Sequence, residues 1–413
     1  MTGVADVERI LLALLLIALV VILVTRRLAF PYTLGLVIVG FIISLFGIIP
    51  EFRLTPDLVL FVFLPGLLFE GAWSISLWRL RANWLSIFLL AVPGLLMELV
   101  LIALPLHFLA GFAWNIALLL AAILSPTDPV AVLGLFRQLK VDANLSTIIE
   151  GESLFNDGVA GALYQTFLAL VLLSMQGQQL PIGAALLHGA GTFLLEAGGG
   201  ILVGGICGYL VSRFVKFIDD HLIETTITIV VAYGVYLLAD FLHVSGILAV
   251  ILAGLILGSY GRNTGMSERT SEAVDDFWGM IAFLANALLF LLVGAQLNPT
   301  AILASVQARP LLLIAALVII SVLLARFIMV ALLPRALSPM PGIRLHAWRF
   351  VIFWSGLRGA LSLALVLALP LNIPERDALV FSTYAVVLFT LLVQGVSLGL
   401  ILKRLPSLSG ETS

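Results

Sequence analysis

This chain has very little charge. Asp, Glu, Lys and Arg make up 11% of its 413 residues, under half the share of an ordinary soluble domain. That excludes a soluble globular protein, a disordered chain and a nucleic-acid binder, each of which needs many more charges. Cysteine is almost absent. Cys207 stands alone, so there is no internal disulfide and no cysteine-rich metal site. Strict alternation of apolar and polar residues is missing too, which excludes an outer-membrane barrel. No Walker loop, zinc motif or nucleophile elbow occurs.

What the chain has instead is long apolar runs. Hydrophobic residues account for 62%, and the mean hydropathy is +1.19. With about 20 apolar residues per span, this length accommodates about twelve to fourteen membrane helices. Thirteen runs can be drawn: Ile10–Val24, 32–49, 58–76, 84–109, 114–136, 147–173, 184–214, 222–242, 245–260, 275–297, 310–334, 347–371 and 377–402. The first is preceded by acids and followed by Arg26 and Arg27. A signal peptide has the opposite flanks, so a retained helix with its N-terminus outside is expected.

The positive-inside rule supports this count. With thirteen spans and the N-terminus outside, 15 of the 21 lysines and arginines fall at cytoplasmic ends. Arg9, Arg53, Arg309 and Arg376 fall outside, and Arg326 and Arg358 fall within spans. If the seventh span is a connector, the two sets of six start on opposite sides of the membrane, as two inverted repeats do. The fifth span carries Pro126 and Pro129, and its counterpart, the twelfth, carries Gly356 and Gly359. Interruptions at matching positions point to a substrate site. The expected fold is therefore an all-α polytopic membrane protein of about thirteen transmembrane helices, two of them interrupted.

Ionisable residues at bilayer depth cost about 2.5–3.5 kcal/mol each. This chain places Glu70, Glu98, Asp128, Glu152, Asp157, Glu196 and Arg358 there. Six acids against one base means that some acids hold protons or that a cation visits them. Ser125-Pro126-Thr127-Asp128-Pro129 must open the fifth helix, because proline lacks an N–H and clashes with the preceding turn. Opening frees carbonyls around Thr127 beside a carboxylate, a ligand set for a hard monovalent cation. The alternative is a kinked helix with Asp128 bonded to its own loose backbone.

In Glu150-Gly151-Glu152-Ser153-Leu154-Phe155-Asn156-Asp157-Gly158 the spacing sorts the polar groups. Ser153 and Asp157 share one helix face, and Glu152 and Asn156 share a strip about 100° away. The first pair is expected to face a cation and the second a neighbouring helix; the alternative is a structural polar knot. Arg358, as the one mid-membrane cation, needs a carboxylate, and Glu152 is the expected partner. Arg326 is expected to snorkel to the cytoplasmic side. Glu70 is a candidate outer ligand or gate. Glu98 and Glu196 are expected to be protonated or locally bonded.

These motifs, with Gly356-Leu357-Arg358-Gly359-Ala360, resemble those of the monovalent cation/proton antiporters of the NhaP and Na⁺/H⁺-exchanger family. The resemblance implies that Asp157 binds the exchanged ion with Asp128, Ser153 and the Thr127 carbonyl, and that Glu70 assists through water. It implies a buried ion pair of Glu152 and Arg358 beside Asn156. It further implies a homodimer built from scaffold helices one to three (1–83), core helices four to six (84–175), connector and scaffold helices seven to ten (176–300), and core helices eleven to thirteen with a short cytoplasmic tail (301–413). No cofactor, nucleic acid or organic solute is implied, only a lipid bilayer and the transported H⁺ and Na⁺, Li⁺ or K⁺. Exchange is expected to be electroneutral, in the inner membrane of a prokaryote, without the regulatory tail of eukaryotic members. The competing classes are a sodium-coupled symporter, a channel and an intramembrane protease. The first would need a second polar pocket, the second a continuous polar stripe and the third paired aspartates or a Ser–His pair, with Asp128 and Asp157 as candidates for the former.

Overall fold

The computed structural model describes residues 4–27, 31–46, 55, 57–177, 182–295, 308–332 and 343–404. The basic residues Arg53 and Arg335 lie outside the described residues. The described residues are overwhelmingly helical, with no strand among them. In chain order the helices are α1 (Val4–Arg27), α2 (Tyr32–Phe46), α3 (Leu58–Ser74), the short α4 (Leu77–Ala82) and α5 (Trp84–Phe108). Then come α6 (Trp114–Leu124), α7 (Val130–Gln138), α8 (Ala143–Met175), α9 (Ile182–Val215), α10 (His221–Phe241) and α11 (Gly246–Gly265). The last are α12 (Glu268–Ala295), α13 (Ala308–Leu332), α14 (Ile343–Trp354), α15 (Ala360–Leu367) and α16 (Arg376–Leu402).

Both expected interruptions are present. Ser125–Pro129 separates α6 from α7, and Ser355–Gly359 separates α14 from α15. Nine of the described helices are long and apolar enough to cross a membrane. Several outrun their apolar cores because polar caps extend them. Asp142 accepts from the N–H groups of Asn144 (2.8 Å) and Leu145 (3.3 Å) at the start of α8, and Asp220 does the same for Leu222 and Ile223 at the start of α10.

Packing runs most densely within two sets of helices. In one, α2 lies along α12, and α3, α9 and α10 lie along α11. In the other, α5 packs on α6 and α13, α13 on α16, and α6 on α8. Gly40 of α2 and Gly294 of α12 each face the other helix's backbone. A Cβ on either would fall 2.1 Å from a carbonyl oxygen, so only the absence of a side chain permits this approach. The outer surface carries exposed Leu16, Leu23, Leu202, Leu313 and Ile320, a surface suited to lipid rather than water.

Candidate functional site: an ion cavity at the crossing of two broken helices

The two interruptions meet. The Asp128 N–H donates to the Leu357 carbonyl at 2.8 Å, which ties one open strand to the other. Gly359 is what allows it, since a Cβ there would lie 2.0 Å from Asp128 Oδ2. The Asp128 carboxylate accepts from the Val130 N–H at 3.0 Å and faces the Ala360 N–H. It thus sits at the N-terminal ends of α7 and α15, where unpaired amides favour negative charge.

From α8, Ser153 donates its hydroxyl proton to the Thr127 carbonyl. Asn156 closes a second link, accepting from the Thr127 N–H at 3.3 Å and donating to Thr127 Oγ1 at 2.8 Å. One turn away, Asp157 faces a cavity of about 730 Å³ that Asp128, Thr127, Ser153 and Glu70 also line. Among the described residues the Asp157 carboxylate forms no hydrogen bond or ion pair. The cavity extends past Glu150 to the exposed Arg26 and Arg137, and α12 contributes Phe283 and the buried Asn286 to its wall. Further along α8, Gly158 packs against Leu248 and Gly161 against Ile247 of α11.

Behind the cavity the ion pairs differ from the expected pattern. Arg358 pairs with Glu98 at 3.0 Å, and its other terminal nitrogen donates to the carbonyls of Ser125 (2.7 Å) and Pro126 (3.3 Å). Glu152 pairs with Arg326 instead, through both carboxylate oxygens, one of them at 3.0 Å. Arg326 also reaches Glu98 at 3.2 Å. No direct Glu152–Arg358 pair forms among the described residues. The reason is that Glu152 on α8 faces α13, whereas Arg358 turns into the fifth-span opening, whose carbonyls lack helical partners. Arg326 does not snorkel. It is 4% exposed and held by two carboxylates and the Ile352 carbonyl. Glu98 is not a locally bonded acid but the bridge between both arginines, so among the described residues the buried cations number two.

Glu196 lies apart from the cavity. Its carbonyl accepts from the Ser245 N–H, which puts it level with the turn between α10 and α11 and near Asp240 and His243. Of the six acids expected at depth, Glu98 and Glu152 are matched by two arginines and Glu196 does not line the cavity. Glu70, Asp128 and Asp157 remain, and all three line one cavity together with Glu150. Glu224, a further buried acid, lies elsewhere and accepts from the Thr270 hydroxyl at 3.3 Å.

Sequence reasoning separated the ligand face of α8 from its structural face, but it missed Glu98 and Arg326 as partners and Asn286, Tyr32 and Glu150 as cavity-lining groups. A signal for the first two existed: a second arginine in an apolar run with an acid left unassigned. For the others, facing the cavity depends on how α2, α8 and α12 are rotated, which no local pattern specifies.

Comparison with known proteins fits this geometry. The family model for the transmembrane sodium/hydrogen exchanger matches residues 14–404. The chain is 39% identical over 377 residues to the Na⁺/H⁺ antiporter ApNhaP of Aphanothece halophytica, covering 91% of this chain and 70% of that one. It is 33% identical to the Na⁺/H⁺ antiporter NhaH of Halobacillus dabanensis, covering 98% and 99% respectively. In fold it is similar to the sodium proton antiporter MjNhaP1 of Methanocaldococcus jannaschii, with a TM-score of 0.76, 19% identity and full coverage of both chains. A chain with crossed broken helices, unneutralised carboxylates in one cavity and a match along almost its whole length belongs to the transmembrane sodium/hydrogen exchanger family.

Proposed function

We propose that this protein is a secondary antiporter, not an enzyme, exchanging Na⁺ or a related monovalent cation for H⁺ at Asp157. One observation carries this reading: Glu70, Asp128 and Asp157, none of them paired with a buried arginine, line one cavity beside the crossed breaks together with Glu150. An unpaired charge in that setting is costly, so Asp157 holds either a proton or a cation. That competition couples two opposite fluxes without any cofactor.

Cation binding uses groups already in place. The Ser153 hydroxyl turns its proton away from the Thr127 carbonyl, and both oxygens become ligands beside Asp157 and Asp128. Glu70, across the cavity on α3, attracts the ion and contributes through water. Asn156 keeps Thr127 in register throughout.

The cavity lies between the two densely packed sets of helices, with Glu70, Tyr32 and Asn286 on one side and Asp128, Asp157 and Ser362 on the other. This supports a scaffold (1–83 and 176–300), through which the homodimer forms, against which a core (84–175 and 301–413) moves. Counting each broken pair as one crossing, we read thirteen crossings in two inverted repeats, with the N-terminus outside and the C-terminus in the cytoplasm of a cell whose inner membrane holds the protein. In that orientation the open end of the cavity, lined by Arg26 and Arg137, faces the cytoplasm. A symporter has little support, because its solute would need a second polar pocket.

The test is proton efflux from acid-loaded proteoliposomes on addition of Na⁺, Li⁺ or K⁺ in turn. Asp157→Asn should abolish exchange while the purified protein elutes as the wild type does. Near-normal exchange by this variant would remove Asp157 from the mechanism.

A further inference from the structure

The geometry points to Glu98 as a positioning residue of the cation site, one that holds Arg358 on the Ser125 and Pro126 carbonyls and so keeps its charge off Asp157. This rests on the reading of Asp157 as the exchange site.

Glu98 is 1% exposed on α5, with Oε2 on Arg358 and Oε1 on Arg326. Arg358 is fully buried, and Glu98 is its one carboxylate partner among the described residues. Its Nε has no partner, so the guanidinium is not saturated by what surrounds it. The four charges of Glu98, Glu152, Arg326 and Arg358 cancel. The field in the cavity is then set by the groups that line it, the acids within and Arg26 and Arg137 at its open end.

Arg358 also lies within electrostatic reach of Asp157. Without Glu98, the network carries one uncompensated positive charge. Glu152 cannot absorb it, because both its oxygens are taken by Arg326. The remaining carboxylates near Arg358 are those of the ion site. A fixed guanidinium charge there competes with the transported cation for Asp157. Glu98 thus acts on affinity through Arg358 and never touches the ion.

The experiment compares wild type with Glu98→Gln in proteoliposomes, titrating the cation. Glutamine keeps the size and one acceptor and removes the charge. KM for the cation should rise about tenfold or more, as expected for an added like charge in a low-dielectric site, with kcat within about twofold. Glu98→Gln combined with Arg358→Gln should bring KM back toward wild type, since the loose charge is gone. A role in folding alone would not be rescued by losing a second member of the network. If Glu98→Gln does not fold, Glu98→Asp, which keeps the charge on a shorter arm, should give an intermediate KM. An unchanged KM in a folded Glu98→Gln, or in a folded Glu98→Asp where only that variant is available, would overturn the inference, as would a double variant worse than the single. Absence of exchange by the wild type itself would instead sink the antiport reading.

Discussion

Arg326→Met removes the cation that binds Glu152, and the structure sets the size of the effect. Arg326 engages both oxygens of Glu152, one oxygen of Glu98 and the Ile352 carbonyl. In the variant Glu98 keeps Arg358, but Glu152 loses every hydrogen-bond partner that the described residues provide. Stranding one member of a buried pair costs about 3–5 kcal/mol, and methionine recovers part of the lost packing without recovering charge. Removing both charges, as in Glu152→Leu with Arg326→Met, leaves Glu98 and Arg358 balanced. Replacing a whole buried pair by apolar residues is about neutral or stabilising, so the double variant should melt above Arg326→Met. Arg358→Met should be milder than Arg326→Met, because Glu98 would still have Arg326. The assay is thermal unfolding followed by tryptophan fluorescence in one detergent at one scan rate, since unfolding of such proteins is commonly irreversible and rate-dependent. Arg326→Met melting with the wild type, or a double variant melting below the single, would refute the assignment of Arg326 to Glu152.

Gly359→Ala should abolish transport and lower the melting temperature. Its Cβ would fall 2.4 Å from Asp128 Cβ, and Asp128 is held in place by its N–H bond to Leu357. Gly191→Ala in α9, where a Cβ meets nothing within 4 Å, should transport normally in the same assay. Exchange should be electroneutral: Asn156 has no proton to release, and the nearby arginine stays charged at physiological pH. Cation-driven proton flux should therefore be unaffected by a diffusion potential set with an ion the protein does not carry. A flux scaling with that potential would mean a second titrating group, with Asp128 or Glu70 the first to examine.

The sequence by itself determined the class of protein, the places where helices must break and the face of α8 that turns to the cavity. Each follows from local physics. Low charge and apolar runs require a bilayer, Pro126 and Pro129 cannot continue a helix, and i, i+4 spacing puts Ser153 and Asp157 on one face. Which acid answers which arginine was decided only by the tertiary structure. Glu98, Glu152, Arg326 and Arg358 come from four separate stretches of chain, and their pairing depends on the rotation of α5, α8 and α13 about their axes. An apolar helix carries little pattern to specify that rotation, because lipid and protein interior accept the same side chains. Close contacts such as Gly94 of α5 against Met329 of α13 and Gly151 of α8 against Ile87 of α5 set it instead. The charge left free at Asp157 is a property of the assembled bundle, since it depends on both arginines being engaged elsewhere.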